Sequence, residues 1–311
     1  MTKQELKACH DRIKPFIHNT PVLTSKLINS LINAELFFKC ENFQSAGAYK
    51  IRGATNAIMQ LSKTEQQNGV VTHSSGNFAQ ALSLAANRLN IKAYIVMPSN
   101  SPKVKKNAVL EYGGEVIECK PTIEARQNAA DQIVKNTGAT FIHPSNDTDV
   151  ILGQGTAGLE LLVEHPDLDV IFCPIGGGGL IAGTALAANF NSNHCQIFGG
   201  EPLEADDAYR SLISGKIETN VSTNTIADGL RTQLGSHNFP IIKANVKQII
   251  RVSETEIIEA MRLIWERMKI IIEPSSAVAF AAILKEKEKF KKQKIGVIIS
   301  GGNVDVNNLP F

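Results

Sequence analysis

Short runs rich in β-branched and aromatic residues alternate along this chain with longer stretches of helical periodicity, and that alternation admits few folds. The strand candidates are Glu35–Lys39, Gly69–Thr72, Lys92–Met97, Glu115–Glu118, Thr140–His143, Val170–Cys173, Gln196–Gly200, Gln248–Val252 and Ile295–Ile299. Helical patterns run over Lys50–Gln60, Asn77–Leu89, Ser101–Tyr112, Thr122–Asn136, Thr156–Val163, Leu180–Asn189, Glu254–Met268 and Ser275–Glu286. Strands separated by helices build parallel sheets covered by helices on both faces, so the fold class is α/β. The strands of the block Gly69–His143 are short, and the loops that carry chemistry flank it. This predicts a small mobile lobe, residues 69–146, inserted into a larger lobe made of 1–68 and 147–311. A ligand then sits between them, at strand carboxyl ends.

Composition narrows the class without naming a function. A length of 311 residues, 43% hydrophobic and 20% charged, suits about two globular domains. The net charge of +2 has no basic stripe, and the lysines of Lys285–Lys294 alternate with Glu286 and Glu288 as on a solvated helix face, so nucleic acid is not an expected partner. Cys9, Cys40, Cys119, Cys173 and Cys195 lack CxxC spacing and read as buried thiols in a reducing compartment. The N-terminus is a capping box, Thr2-Lys-Gln-Glu5, and not a secretory signal. Val170–Phe190 is uncharged, but Pro174 and four consecutive glycines would break a membrane helix there. The chain is expected in the cytoplasm, away from membranes.

Four loops carry the chemistry. Ser45-Ala-Gly-Ala-Tyr-Lys50 sets a lysine between a small-residue turn and a helix; by itself this is a surface lysine or an amine held at a cleft edge for a carbonyl cofactor. Gly176–Gly179, between an apolar strand and an apolar helix, is a linker or a phosphate cradle of converging amides. No Lys-Ser/Thr pair follows, so a phosphate on a small cofactor is favoured over a nucleotide. Ser74-Ser-Gly-Asn77 opens a helix either as a plain cap or as a carboxylate site, with Asn77 able to donate to a phenolate and Ser75 able to accept or return a proton. Ser300-Gly-Gly-Asn303 ends a strand with a hydroxyl that suits a pyridine nitrogen as a neutral partner.

In this order and spacing the loops resemble those of the fold-type II pyridoxal-phosphate (PLP) enzymes, with a tryptophan synthase β-like fold, and within them the serine racemase and threonine/serine dehydratase family. The resemblance runs through Thr20-Pro21, Asn42-Phe-Gln44, Tyr49-Lys-Ile-Arg-Gly-Ala54, Ser74–Asn77, Gly153-Gln-Gly155, Gly176–Gly179, Glu201-Pro202, Ile226-Ala-Asp-Gly229, Trp265-Glu-Arg-Met268, Ile272-Glu-Pro274 and Ser300–Asp305. It implies that the larger lobe binds PLP, with Lys50 as the Schiff-base lysine and proton carrier on one face and Ser75 as the acid/base on the other. It implies further that Tyr49 packs on the ring, Gly176, Gly177, Gly178 and Gly179 hold the phosphate, Asn77 meets the phenolate, Ser300 the ring nitrogen, and Glu273 lies behind them. Ser74, Ser75, Asn77 and Arg126 would contact the substrate. Phe78 stands where the family commonly has histidine and Ala48 where a serine is common, which puts substrate preference in question.

Glu201 and Asp207, with the carbonyl of Ala205, form either an acidic loop or an all-oxygen site for Mg²⁺, Mn²⁺ or Ca²⁺. The resemblance implies the cation. The activity implied is β-elimination from L-threonine or L-serine, giving a 2-oxo acid and ammonia. Serine racemisation or hydroxyaspartate dehydration is the alternative, and an idle PLP carrier is disfavoured by the intact Lys50, Ser75 and Asn77. A homodimer is expected and, with the chain stopping at Phe311, no C-terminal regulatory domain.

Overall fold

The computed structural model describes residues 1–311. In chain order the elements are α1 (Lys3–Ile13), β1 (Val22–Leu23), α2 (Lys26–Ile32), β2 (Glu35–Cys40), α3 (Lys50–Gln60), α4 (Lys63–Asn68), β3 (Val70–His73), α5 (Asn77–Arg88), β4 (Ala93–Pro98), α6 (Lys103–Glu111), β5 (Glu115–Cys119) and α7 (Ile123–Thr137). There follow β6 (Thr140–Phe141), α8 (Thr148–Glu164), β7 (Val170–Pro174), α9 (Gly179–Asn191), β8 (Gln196–Pro202), α10 (Asp207–Ser214), α11 (Phe239–Asn245), β9 (Val246–Val252), α12 (Glu254–Met268), α13 (Pro274–Lys285) and β10 (Lys294–Ile299).

The strands form a six-stranded sheet, β1-β2-β10-β7-β8-β9, and a four-stranded sheet, β5-β4-β3-β6. Every pairing is parallel except β1 with β2. A parallel sheet needs cover on both faces, and β7 is accordingly buried along its whole length. On one face Ile257, Met261 and Ile264 of α12 and Val278 and Phe280 of α13 pack with Phe38, Phe172 and Val297. On the other, α1, α8, α9 and α11 bury Leu6, Leu161, Ile181 and Ile242 against Ile171 and Ile298. No helix is long and apolar enough to cross a membrane.

Capping explains several helix starts. The box at Thr2 and Glu5 opens α1, and Ser62 with Glu65 and Ser253 with Glu256 do the same for α4 and α12. α8 begins at Thr148, eight residues before the expected Thr156, with Asp147 capping it. Gly153, Gly155 and Gly158 weaken its helical signal, but they lie inside it for contact. A Cβ on Gly155 would come within 2.6 Å of the Gly183 carbonyl, and one on Gly153 within 2.5 Å of the Arg52 carbonyl. The elements β1, α2, α4, α10 and α11 escape the sequence reading because they are short or carry mixed patterns. The lysine-rich stretch is no single helix: α13 ends at Lys285 and a short 3₁₀ turn, Lys287–Phe290, precedes β10. Of the five cysteines, all free, Cys9, Cys40 and Cys173 are buried while Cys119 and Cys195 are only half-buried.

α3 joins the two sheets. Ile51, Ala54, Ala57 and Ile58 share one apolar cluster with Val70, Phe78, Ile95 and Val150. A division after residue 68 therefore runs between elements that pack together. The opposite side of α3 carries Arg52, fully buried. Its Nε and Nη2 donate to Glu41 at 2.7 and 2.8 Å, and its Nη1 and Nη2 to Glu160 at 2.8 and 2.7 Å. Thr156 Oγ1 accepts from Nη1 at 3.1 Å. Glu160 also receives Lys39 Nζ at 2.7 Å and pairs with His10 at 3.2 Å. Paired bidentate contacts use the guanidinium fork fully.

Removing one partner of a buried pair leaves an uncompensated charge. Glu160→Ala, which leaves Glu41 alone to balance Arg52 and Lys39, is expected to cost about 3–5 kcal/mol in urea unfolding; a loss below about 1 kcal/mol would mean the cluster adds little to stability.

Candidate active site

The chain reaches Lys50 through a tight turn that a sheet-forming sequence could not make. Ala46 (φ 59°) and Gly47 (φ 70°) both lie in the left-handed region, which alanine enters only where its surroundings hold it. The next residues are tied to the loop after β10. Ala48 bridges Gly301, the Tyr49 N–H donates to the Ser300 carbonyl at 3.0 Å, and Gly302 N donates to Gly47 O at 2.9 Å. Lys50 then opens α3. Its Nζ donates to the Pro144 carbonyl at 2.9 Å and lies 5.0 Å from the Tyr49 ring and 5.8 Å from the Phe78 ring. Burial among these groups pushes the Lys50 amine down to about 7, and the Glu273 charge opposes that shift.

Residue 144 also leads to the glycine loop. Gly176, Gly177 and Gly178 connect β7 to α9, whose first turn no side chain caps. A Cβ on Gly177 would lie 2.3 Å from Ser145 Oγ, and one on Gly179 would lie 2.5 Å from Gln154 Oε1. Gly178 has φ 78°. Asn238 Nδ2 holds the loop, donating to Gly177 O at 2.7 Å and Ser145 O at 3.0 Å. Gln154 Oε1 is buried without a hydrogen-bond partner. An uncapped helix start of this kind fits a phosphate group.

Asn77 opens α5 from the other lobe, and Gly76 before it has open space where a Cβ would be. No side chain caps this helix either. Ser74 and Ser75 stand half-buried on the same turn. Asn77 Nδ2 donates to both Glu273 oxygens, at 2.9 and 3.0 Å. Burial raises the Glu273 carboxyl to about 7, against the hydrogen bonds from Asn77 and the Asn303 N–H. Asp228, whose charge also raises it, is paired across the lobes with Lys105 of α6. Ser300 Oγ lies 2.9 Å from Ser276 Oγ, which donates to Gly301 O and accepts from Gly301 N, both at 2.7 Å.

Direct bonds therefore connect the loops of Tyr49 and Lys50 with Ser300, and Asn77 with Glu273, while the Pro144–Ser145 step brings the glycines to the amine. Arg126 lies on α7 of the same lobe as Ser74–Asn77, where its charge acts on the neighbouring His73, and its buried Nε has no partner. Asn303, Ser276, Gln154, Asn238 and Ser145 were not singled out by sequence. Asn303 and Gln154 had a signal, since they lie in the Ser300-Gly-Gly-Asn303 and Gly153-Gln-Gly155 motifs; the others become visible only once the chain is folded.

The acidic pair occupies a separate place, Glu201 near the end of β8 and Asp207 at the start of α10, both buried. Glu201 accepts from Ala208 N at 2.9 Å and Tyr209 N at 2.7 Å, and Asp207 Oδ2 from Leu234 N at 2.9 Å. Asp207 Oδ1 has no partner. Burial and then the Asp207 charge hold the Glu201 carboxyl well above its usual range, and burial lifts Asp207 to about 6. Nowhere do three or more His, Cys, Asp or Glu side chains cluster as metal ligands, so a cation here would need backbone oxygen such as that of Ala205.

A family described as pyridoxal-phosphate dependent enzymes matches residues 13–301. A serine racemase of Dictyostelium discoideum is 51% identical over 99% of this chain and 97% of its own. A beta-hydroxyaspartate dehydratase of Paracoccus denitrificans is 45% identical over 100% and 98%. A solved T.th. threonine deaminase superposes with a TM-score of 0.93 at 40% identity, covering 98% of this chain and 99% of that one.

The burial of Lys50 has a direct readout. In protein freed of any carbonyl compound, acetylation by acetic anhydride, followed by peptide mass spectrometry, is expected to modify Lys50 with a midpoint near pH 7 and not near 10.5. Only the neutral amine reacts, so labelling rises with pH. In Glu273→Gln the midpoint should move lower, because the opposing charge is gone. A wild-type midpoint as high as the ordinary lysine value of 10.5 would contradict the buried amine.

Proposed function

The chain belongs to the pyridoxal-phosphate-dependent enzymes, and on that premise we propose that it is a serine racemase with β-elimination as an accompanying reaction. The observation that carries this reading is a buried amine, Lys50, whose Nζ lies 5.8 Å from the ring of Phe78, three residues along the chain from Ser75. Relatives at 51% and 48% identity that bear the name serine racemase support racemisation over the threonine dehydratase reaction that sequence reading put first.

When bound, pyridoxal phosphate supplies the electron sink that makes the α-proton of an amino acid removable. Gly176–Gly179 would receive its phosphate on the uncapped start of α9, Lys50 its carbonyl, Asn77 its phenolate and Ser300 its ring nitrogen, with Tyr49 against the ring and Glu273 behind Asn77. The substrate carboxylate takes the free amides at the start of α5 with Ser74 and Asn77. Lys50 then removes or returns a proton at Cα on one face, and Ser75 does so on the other. Phe78 makes the wall beside the amine apolar. Residues 69–146 act as a small lobe that closes over the substrate, with Lys105 and Asp228 paired across the gap. Glu201, Asp207 and the Ala205 carbonyl take a divalent cation that neutralises the buried acids, fitting the partnerless Asp207 Oδ1. The chain works as a cytoplasmic homodimer.

A second reading, dehydration of 3-hydroxyaspartate, is favoured by the buried Arg126 Nε without a partner, since a second substrate carboxylate would satisfy it, and by the relative named for that reaction.

Ser75→Ala separates the activities. Interconversion of L- and D-serine should fall by about 10²-fold or more, the usual worth of a positioned acid/base. Release of 2-oxo acid from L-serine should fall by less than about tenfold, because elimination does not need a base on the second face. Equal losses, by chiral analysis beside 2-oxo acid assay, would reduce Ser75 to holding the substrate.

The cation is tested apart from catalysis. EDTA should lower Tm, and Mg²⁺ or Mn²⁺ should restore it, because an ion bound only by the folded chain stabilises it. An unchanged Tm in protein shown to be metal-free by elemental analysis would leave Glu201 and Asp207 as a plain buried pair.

A further inference from the structure

We infer that Asn303 is a positioning residue that sets which way round the Asn77 amide faces, and so makes Asn77 a hydrogen-bond donor toward the cofactor's ring oxygen. This rests on the proposed function above. The two ends of an asparagine amide are set by their partners, and here the assignment propagates from one atom that has no choice. The Ala46 carbonyl can only accept, so the Asn303 atom 2.8 Å from it is Nδ2. The same Nδ2 lies 3.0 Å from the Asn77 side chain, and the atom it meets there is therefore Oδ1. The remaining end of Asn77 is its NH₂ group, which faces Glu273.

Asn303 is itself held from two further sides. Its backbone N–H donates to Glu273 Oε2 at 3.2 Å. Its Oδ1 occupies the space a side chain on residue 47 would need, 2.3 Å from a Cβ placed on Gly47. That close approach accounts for glycine at 47 as much as its φ of 70° does. The bond to the Ala46 carbonyl also braces the left-handed residue four positions before Lys50. One side chain thus orients Asn77 and secures the turn that delivers the amine.

Glu273 cannot do the same work. Burial brings its carboxyl to about 7, so near neutral pH it exists in both forms, and the protonated form donates as readily as it accepts. Either orientation of the Asn77 amide could then be satisfied by Glu273. Only the Asn303 contact accepts one orientation and refuses the other.

The test is a pH titration of the visible band of the bound cofactor in the holoenzyme, which reads the proton balance at the ring and not turnover. A donor to the ring oxygen stabilises its anion and lowers the pH at which the conjugated proton leaves; losing that donor raises the midpoint. Asn77→Ala is expected to raise it by about one pH unit, the tenfold effect of one hydrogen bond to a charged group. Asn303→Asp, which keeps the shape but offers no donor, should raise it in the same direction. Asn303→Ser, which keeps a short donor, should lie between Asn303→Asp and wild type and supplies the reading if the aspartate does not fold. Asn77→Ala with Asn303→Ala together should shift the midpoint no further than Asn77→Ala alone, since Asn303 acts through Asn77. A wild-type midpoint in the Asn303 variants, whatever their Tm, or shifts that add in the double variant, overturns the inference. Wild-type protein that develops no visible band with pyridoxal phosphate overturns the proposed function instead.

Discussion

The Arg52 guanidinium is the interaction on which the rest of the molecule leans. It lies on the helix that begins with Lys50, and Glu41, Glu160 and Thr156 take its donors from the segment after β2 and from α8. A cation buried this completely is tolerable only because each face of it meets a carboxylate, and those acids are tolerable only because Arg52 and Lys39 meet them. The clamp joins α3 to the six-stranded lobe by charge, while its apolar residues join it to the four-stranded lobe by packing. A lysine mounted there is referenced to both halves of the cleft.

At the site itself the same desolvation acts on an acid and a base in opposite directions. It pushes Lys50 down and Glu273 up, and both arrive at about 7. Neither needs a dedicated catalytic partner for this: the dry surroundings of Tyr49 and Phe78 on one side, and the enclosure of Glu273 by the Asn77 and Asn303 loops on the other, suffice. The outcome is an amine and a carboxyl whose titrations are both drawn to about 7.

Much of this was legible in the chain because local signals and final structure agree. α3 and α12 run between the residues that their patterns indicate, Lys50–Gln60 and Glu254–Met268, and the alternation of strand and helix matches two sheets that are parallel except where β1 joins β2. The glycines of α8 misled for a physical reason. Propensity counts them as helix breakers, whereas packing requires them where α8 meets α3 and α9. Ser276 could not be read as a site residue because its role exists only after loops far apart in sequence close on one another, and Asn303, though part of the Ser300-Gly-Gly-Asn303 motif, shows its bonds to Ala46 and Asn77 only then. Glu201 and Asp207 were visible as acids, but that one oxygen of the pair lacks a partner is a property of the folded interior.

α3 and α8 come into backbone contact at their glycines: a Cβ on Gly53 would come within 2.7 Å of the Val150 carbonyl, and one on Gly153 within 2.6 Å of the Gly53 Cα. Side chains between helices act as cushions, since rotamers absorb small displacements. Amide resting on amide absorbs nothing. A shift of α8 at this contact is passed to the lysine helix with little room for side chains to take it up. The joint thus ties the helix that carries the amine to α8 by backbone and not only by side chains.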